Sequence, residues 1–358
     1  MNQPQVTIVV TPRERFSYVT ESLESIFAYT SLPYRLVYVD GHSPPSVQQY
    51  LDAQAAERQF EMIRSDHYLS PNRARNLGMT HVKTPYVAFV DNDVIVSPGW
   101  LEALVNCAEQ TGAAVVGPLM CQYLPIHENI HFAGGESRII RDIKGRNRLR
   151  EKMYRQGQDV SQVRSQLQRT PTELCEFHCA LVRTTVIAQL GGFDEALLNT
   201  KEHVDFCMAV AQLGGTVYFE PESLATYVPT SPLKWSDLHY YMLRWSDAWE
   251  LQSLSRLQEK WNLAEDSYFK QKYKALGWRR RKTILMPIVH WLTLGIRHRW
   301  LEKVVMYGLL APIEKRLNRY LTDRYAKQYL PEPPIVLPNL SDRSPSNSAA
   351  AFTEVSIG

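Results

Sequence analysis

Short apolar runs alternate with segments of helical spacing along the first 120 residues, and this alternation leaves the chain few architectures. Val6 to Val10 is a strand-like run, and Phe16 to Tyr29 sets Phe16, Val19, Leu23, Ile26 and Phe27 at the spacing of a helix face. Arg35 to Val39 reads as a second strand ending at Asp40, Val47 to Phe60 as a helix, and Glu61 to Ile63 as a short strand. Asn72 to Met79 begins another helix before the strand Tyr86 to Val90. Strands separated in this way by helices pair in parallel and are covered on both faces. The expected fold is therefore α/β, a mostly parallel sheet flanked by helices. In such sheets ligands bind beyond the carboxyl ends of the strands, where Asp40 and Asp91-Asn92-Asp93 fall.

The 358 residues, 44% hydrophobic and 22% charged, suffice for one large domain with appendages. Residues 1–235 carry the alternating pattern. Within them, 141–170 are polar and rich in Arg and Gln, so a mobile surface excursion outside the core, or a lid over a site, is expected there. Further on, the chain turns at Gly191-Gly192, a helix is expected from Glu202 to Leu213, and Val217 to Phe219 reads as a strand. Residues 236–330 are helical in pattern, basic and aromatic, and the Pro/Ser-rich 331–358 is expected to be disordered.

Five scattered cysteines without CxxC spacing indicate neither a disulfide framework nor a zinc site. Cys175-Glu176-Phe177-His178-Cys179 looks ligand-like, yet no second cluster completes it, so buried thiols are the expectation. No charged-then-apolar leader precedes the first strand and no run reaches the roughly 18 apolar residues of a membrane span, so a cytoplasmic location is expected. The net charge of +3 conceals an asymmetry: between Lys272 and Lys327 there are fourteen Lys or Arg against three acids. That region reads as separate, with a partner of its own.

The run Ala88-Phe89-Val90-Asp91-Asn92-Asp93-Val94-Ile95-Val96 interrupts an apolar strand with two carboxylates at i, i+2. They point to one side, an arrangement suited to a hard divalent cation bridging diphosphate oxygens. The chain here resembles the family 2 inverting glycosyltransferases over about residues 5 to 230. The likeness is carried in order by VTIVVTPRERF, LVYVDGHS, NRARNLG, AFVDNDV, LGGFDE, and KEHVDF followed by GGTVYFEP.

What the resemblance implies is a GT-A-like sheet and transfer of a sugar from a nucleoside diphosphate, UDP favoured, to a hydroxyl of a glycan or lipid-linked acceptor. It puts Asp40 on the nucleotide base, where capping of the following turn is the plainer alternative. Arg73 or, better matched, Arg75 falls near the diphosphate. Asp91, with Asn92, falls on the donor, and Asp93, helped by Asp91, on Mn²⁺ or Mg²⁺. The base that takes the acceptor proton falls at Glu202 with Asp205 in support, or at His203, which stands where the family has a second acid. Asp194 and His131 fall on the acceptor side. Tyr227 occupies the place where relatives carry a metal-binding histidine, leaving the metal on Asp93 and phosphate alone or recruiting His239.

The basic and aromatic stretch 279–300 suits the surface of an anionic membrane, making the protein peripheral on its inner face, although a packed C-terminal helix accounts for it as well. No nucleic-acid motif accompanies the charge, so nucleic acid is not expected as a partner. A catalytically inactive nucleotide-sugar or glycan-binding partner at the membrane is the alternative from another class. A nucleotidyltransferase is disfavoured because Thr11-Pro12-Arg13-Glu14-Arg15 stands where its Gly-rich phosphate loop belongs.

Overall fold

A computed structural model describes residues 3–229, 233–294, 298–329 and 332–337. It opens with β1 (Val6–Thr11), α1 (Val19–Tyr29), β2 (Tyr34–Gly41), α2 (Pro45–Arg58), β3 (Glu61–Ser65), α3 (Pro71–Met79), β4 (Tyr86–Asp91), β5 (Val94–Val96) and α4 (Trp100–Thr111). Then come β6 (Val115–Gln122), β7 (Asn129–Phe132), β8 (Gly135–Arg141), β9 (Asn147–Met153), α5 (Val160–Val163), β10 (Thr170–Thr172), β11 (Cys179–Arg183), α6 (Thr184–Leu190), α7 (Glu202–Gln212) and β12 (Val217–Tyr227). The helices α8 (Trp235–Arg244), α9 (Asp247–Lys260), α10 (Ser267–Lys274), α11 (Trp278–Arg280), α12 (Met286–Leu292), α13 (Arg299–Lys303) and α14 (Ala311–Tyr329) follow.

The main sheet runs β10-β12-β6-β11-β4-β1-β2-β3. The pairs β3/β2, β2/β1, β1/β4 and β6/β12 are parallel, while β11 lies antiparallel between β4 and β6. This is the expected α/β architecture. Both β1 and β4 are buried along their whole length, which explains their unbroken apolar runs. Helix α3 lies so close to β1 that a β-carbon at Gly78 would collide with Val9, so only glycine allows this packing.

Three expectations about organisation need correction. Segment 141–170 is built into the structure: β8 and β9 form an antiparallel hairpin, β10 pairs with β12, and Leu149 and Val163 are buried. Its polar composition reflects a two-stranded ribbon with one face on the body, where alternate residues stay in water. Region 236–330 is not separate. Asp237 accepts from the Ser17 N–H (3.1 Å) and hydroxyl (2.6 Å), Tyr240 donates to the Leu69 carbonyl (2.9 Å), and Asn199 donates to the Arg244 carbonyl (2.7 Å). In the expected tail, Glu332 pairs with Arg73 at 2.8 Å and the Ile335 N–H donates to Glu195 at 3.1 Å, so 332–337 is docked. Residues 338–358 lie outside the described residues.

Within the basic run at 279–282, Arg279 and Lys282 are exposed but Arg280 is not part of a surface flank. Arg280 is buried and pairs with Glu314 (2.5 Å) and Asp247 (2.9 Å), and it donates to the Trp245 carbonyl, joining α9, α11 and α14. Arg279, although exposed, lays its guanidinium over the Trp245 ring. Among what α12 to α14 expose are large apolar side chains: Trp291 at 75%, Leu294 at 87% and Trp300 at 67%. No helix among the described residues is long and apolar enough to cross a membrane.

Removing one partner of a buried ion pair strands the other charge. Arg280→Ala is therefore expected to lower the unfolding free energy in urea by about 3–5 kcal/mol. A loss below about 1 kcal/mol would mean the pair behaves like an exposed one.

Candidate active site

Four chain segments meet at the end of β4. The Asp91 N–H donates to the His178 carbonyl (2.9 Å), the Asn92 N–H to the Thr11 carbonyl (2.9 Å), and the Val228 N–H to the Asp93 carbonyl (3.1 Å). The Asn92 side-chain oxygen accepts from the Arg13 N–H at 2.8 Å, so Asn92 shapes the loop after β1. The apolar run containing both carboxylates is thus two strands with a tight turn between them, and Asp91 and Asp93 are fully buried on it.

Asp91 faces cations: Arg13 Nε at 3.4 Å and the wholly buried Arg75 at 3.5 Å, with the Thr11 hydroxyl donating at 3.2 Å. Burial raises its carboxyl above the ordinary range even against Arg13 and Arg75. Asp93 makes no such ion pair among the described residues, and Arg13 and Arg15 act on it only from a distance. Neither of its oxygens has a hydrogen-bond partner, and burial followed by the charge of Asp91 pushes it well above the ordinary range.

His178 completes this cluster. Its Nδ1 stands 3.0 Å from Asp91 Oδ2, yet neither atom has a hydrogen-bond partner. Ligand atoms of Asp91, Asp93 and His178 lie within 4.8 Å of one another. Burial, with Arg13 nearby, holds His178 well below the usual imidazole range and so neutral. Buried oxygens without donors beside a neutral imidazole are what a divalent cation would satisfy, so these residues fit one.

Alternation explains why the sequence pattern hid this residue. Along 175–179 the odd positions turn into the body, where the Cys175 N–H meets Cys207 sulfur at 3.3 Å and Phe177 packs on Phe206 and Phe193. The even positions, Glu176 and His178, line a cleft of about 390 Å³. The expectation of buried thiols holds for all five cysteines, but their neighbours are the polar wall of the site. Tyr227 is not a ligand; it stacks on the His178 ring at 4.1 Å and 15°, fixing its orientation. His239 lies elsewhere, beside Tyr68.

The opposite wall comes from the start of α7. Lys201 takes a left-handed φ of 68° and pairs with Glu151 at 2.7 Å, turning Glu202 and His203 into the cleft. Glu202 is bound to Arg13 at 3.1 Å; burial opposes its ionisation, but Arg13, His203 and Arg244 bring it down to about 2. His203 Nε2 stands 3.4 Å from Glu176 Oε1 and 3.9 Å from Glu151 Oε1. His131 also enters the cleft, 3.9 Å from Glu176, with its ring against Tyr227. Arg13, which ties Asp91 to Glu202, carried no signal beyond its place after the first strand.

Several expected site residues are placed differently. Asp205 faces away from Glu202, accepting from the Trp261 indole (2.8 Å) and pairing with Lys260 (2.8 Å), so it ties α7 to α9. Asp194 pairs with Arg256 at 2.9 Å and caps its own loop through the Ala196 N–H. Arg73 is held by Glu195 and Glu332, outside this cleft. Arg75 sits beneath the site, and its contact is Asp91 rather than open space. Asp40 is buried with both oxygens engaged, one by the Ser43 N–H (2.9 Å) and one by Arg64 (2.9 Å), the arrangement of a turn cap.

The class of the chain follows from these features and the family comparison together. The model of the glycosyl transferase family 2 matches residues 7–190, more than half of the chain, and the chain belongs to that family. Its similarity to individual proteins is lower. It is 27% identical over 224 residues to the pre-mycofactocin glycosyltransferase of Mycobacterium tuberculosis, covering 62% of this chain and 42% of that protein. It is 30% identical over 93 residues to the succinoglycan biosynthesis protein ExoM of Rhizobium meliloti, covering 25% of this chain and 30% of that one. The chain thus spans less than half the length of these relatives. Among solved structures, GalNAc-T7 with UDP, GalNAc and Mn²⁺ aligns with a TM-score of 0.49 at 16% identity, over 80% of this chain and 57% of that one. S. aureus TarS 1-349 with UDP-GlcNAc aligns with a TM-score of 0.46 at 12% identity, over 90% and 92%.

Proposed function

We propose that the protein is an inverting glycosyltransferase that uses a nucleoside-diphosphate sugar, UDP-linked first among those to test, and a divalent cation, Mn²⁺ or Mg²⁺. The observation that carries this reading is the set of buried, unpartnered ligand atoms on Asp91, Asp93 and His178 at the sheet end of a family 2 chain. Held by Asp91, Asp93 and His178, the cation would supply positive charge to the departing diphosphate.

The remaining chemistry belongs to the chain. An acceptor hydroxyl attacks the anomeric carbon as the bond to the diphosphate breaks; the nucleoside diphosphate leaves with the electron pair, and the hydroxyl proton passes to a base. His203 takes that role. It opens into the cleft and Glu176 stands where it stabilises the imidazolium that forms, whereas Glu202 is ion-paired to Arg13 and brought down to about 2, a poor proton acceptor. Arg13 and Arg75 hold Asp91 in place, and Tyr227 holds His178.

A glycan or lipid-linked acceptor suits the outer face of α12 to α14. Trp291, Leu294, Trp300 and Ile313 are exposed there among the exposed cations Arg299, Lys303, Lys315, Arg316 and Arg319, the make-up of a surface that rests on anionic lipid. This face, rather than the 279–282 run alone, is the membrane-facing element of the reading.

UDP with Mn²⁺ is expected to raise the melting temperature, and Asp93→Ala to abolish the metal-dependent part; an unchanged Mn²⁺-dependent shift would remove the metal assignment. His203→Ala is expected to retain nucleotide binding and to lower kcat by on the order of a hundredfold or more. If Glu202→Gln shows that loss and His203→Ala does not, the base is Glu202; if neither variant nor the wild type turns over while nucleotide still binds, the chain is a binding partner. In vesicle co-sedimentation, the wild type is expected to pellet with phosphatidylglycerol-containing vesicles and Trp291→Ser/Trp300→Ser to stay in solution. Equal partition of both would take the membrane away from this face.

A further inference from the structure

Cations in the cleft divide into two groups. Arg13 is paired with Asp91 and Glu202, and Lys201 with Glu151. Lys152 of β9, Lys272 of α10 and Arg279 of α11 also line the cleft, and among the described residues none of the three makes a side-chain hydrogen bond or an ion pair. Each rests on an aromatic ring instead, Lys152 Nζ 5.6 Å from the centre of Tyr154, Lys272 Nζ 5.4 Å from that of Tyr268 and the Arg279 guanidinium 4.0 Å from that of Trp245. Trp245 itself lines the cleft, is 5% exposed, and its indole N–H has no hydrogen-bond partner. Lys272, Arg279 and the Trp245 indole are thus three donors without hydrogen-bond partners on the C-terminal helices that wall the cleft.

Lys272 is set apart from the Asp93 end of the cleft, whereas Arg279 reaches toward it, since Glu14 and Arg13 act on both Arg279 and Asp93. The charges that act on Asp93 are those of Asp91, Glu14, Arg13 and Arg15. Those that act on Lys272 are Lys201, Glu151, Glu250 and Arg279. Lys272 thus stands at the α7 end of the cleft, next to the residue that precedes Glu202 and His203. Like-charge repulsion from Lys201, with burial second, lowers its ammonium to about 8, an unfavourable state that a bound anion would relieve.

We propose that Lys272, Arg279 and the Trp245 indole form an anion subsite on the acceptor side, taking a phosphate or carboxylate group carried by the acceptor. This rests on the reading of His203 as the base end of a sugar-transfer site. The guanidinium fork suits paired oxygens, the ammonium adds a point charge, and the indole donates a single hydrogen bond. The supposedly separate basic region thereby becomes part of the site's specificity.

The test uses sulfate and glucuronate as probes, titrated into the full chain by calorimetry with and without saturating UDP and Mn²⁺. Wild type is expected to bind at least one probe with UDP and Mn²⁺ present. Arg279→Gln and Lys272→Gln are each expected to weaken that binding about tenfold, Lys272→Arg to retain it, and all three to bind UDP with Mn²⁺ within about twofold of wild type. Unchanged melting temperatures keep the comparison one of binding. The proposal is overturned if wild type binds neither probe, if both Gln variants bind as wild type does, or if Arg279→Gln costs UDP affinity tenfold, which would assign these cations to the donor diphosphate. Should wild type bind no nucleotide at all, the transfer reading fails, while probe binding by the nucleotide-free protein still decides the subsite.

Discussion

Two carboxylates buried at the end of a central strand are the constraint around which the rest of this molecule is arranged. A carboxylate removed from water needs partners or it takes up a proton. Asp91 obtains them from Arg13 and Arg75, one above the sheet end and one wholly buried beneath it. Asp93 obtains none among the described residues, and its two oxygens stand beside the orphan nitrogen of His178. The site is therefore poised electrically: one acid compensated by the protein, its neighbour left for a ligand.

The same constraint explains the arginines around it. Arg13 spans Asp91 and Glu202, coupling the sheet end to the first turn of α7, and Arg244 sits fully buried 4.0 Å from Glu202. These links place the two walls of the cleft at a set separation, because the ion pairs lie where water does not screen them. They also divide the labour in α7. Glu202 is held as a fixed charge, His203 stays free toward Glu176, and Asp205 is turned outward to Lys260 and Trp261. The C-terminal helices are the third wall. Their polar anchors reach residues in both halves of the sheet domain, so a region that looked autonomous by charge is integrated by hydrogen bonding.

Much of this was legible beforehand, and the remainder was hidden for identifiable reasons. The strands and helices of the first 120 residues announce themselves by period, and an Asp-X-Asp at a strand end is conspicuous wherever it occurs. His178 was not conspicuous, because its flanking cysteines suggested a zinc-type cluster whose absence ended the reading. Only the two-residue alternation separates the inward thiols from the outward Glu176 and His178. Arg13 was invisible for another reason: a single arginine in a loop has a meaning only when the residues opposite it are known. Asp205 shows the reverse case, since helical spacing put it near Glu202 but said nothing of α9 packing against it.

The sequence by itself determined the strand and helix order from β1 to β4, the mostly parallel sheet, the family, and the acids at the end of β4. Such features depend on local periodicity and on residues adjacent in the chain. The tertiary structure alone decided which charges face one another: Asp91 with Arg13, Arg75 and His178; His203 with Glu176; and the unpaired Lys272 and Arg279 with the cleft. The physical reason is that burial and charge pairing join residues far apart in the chain, 189 positions in the case of Arg13 and Glu202, and no local pattern encodes what will pack against a given face.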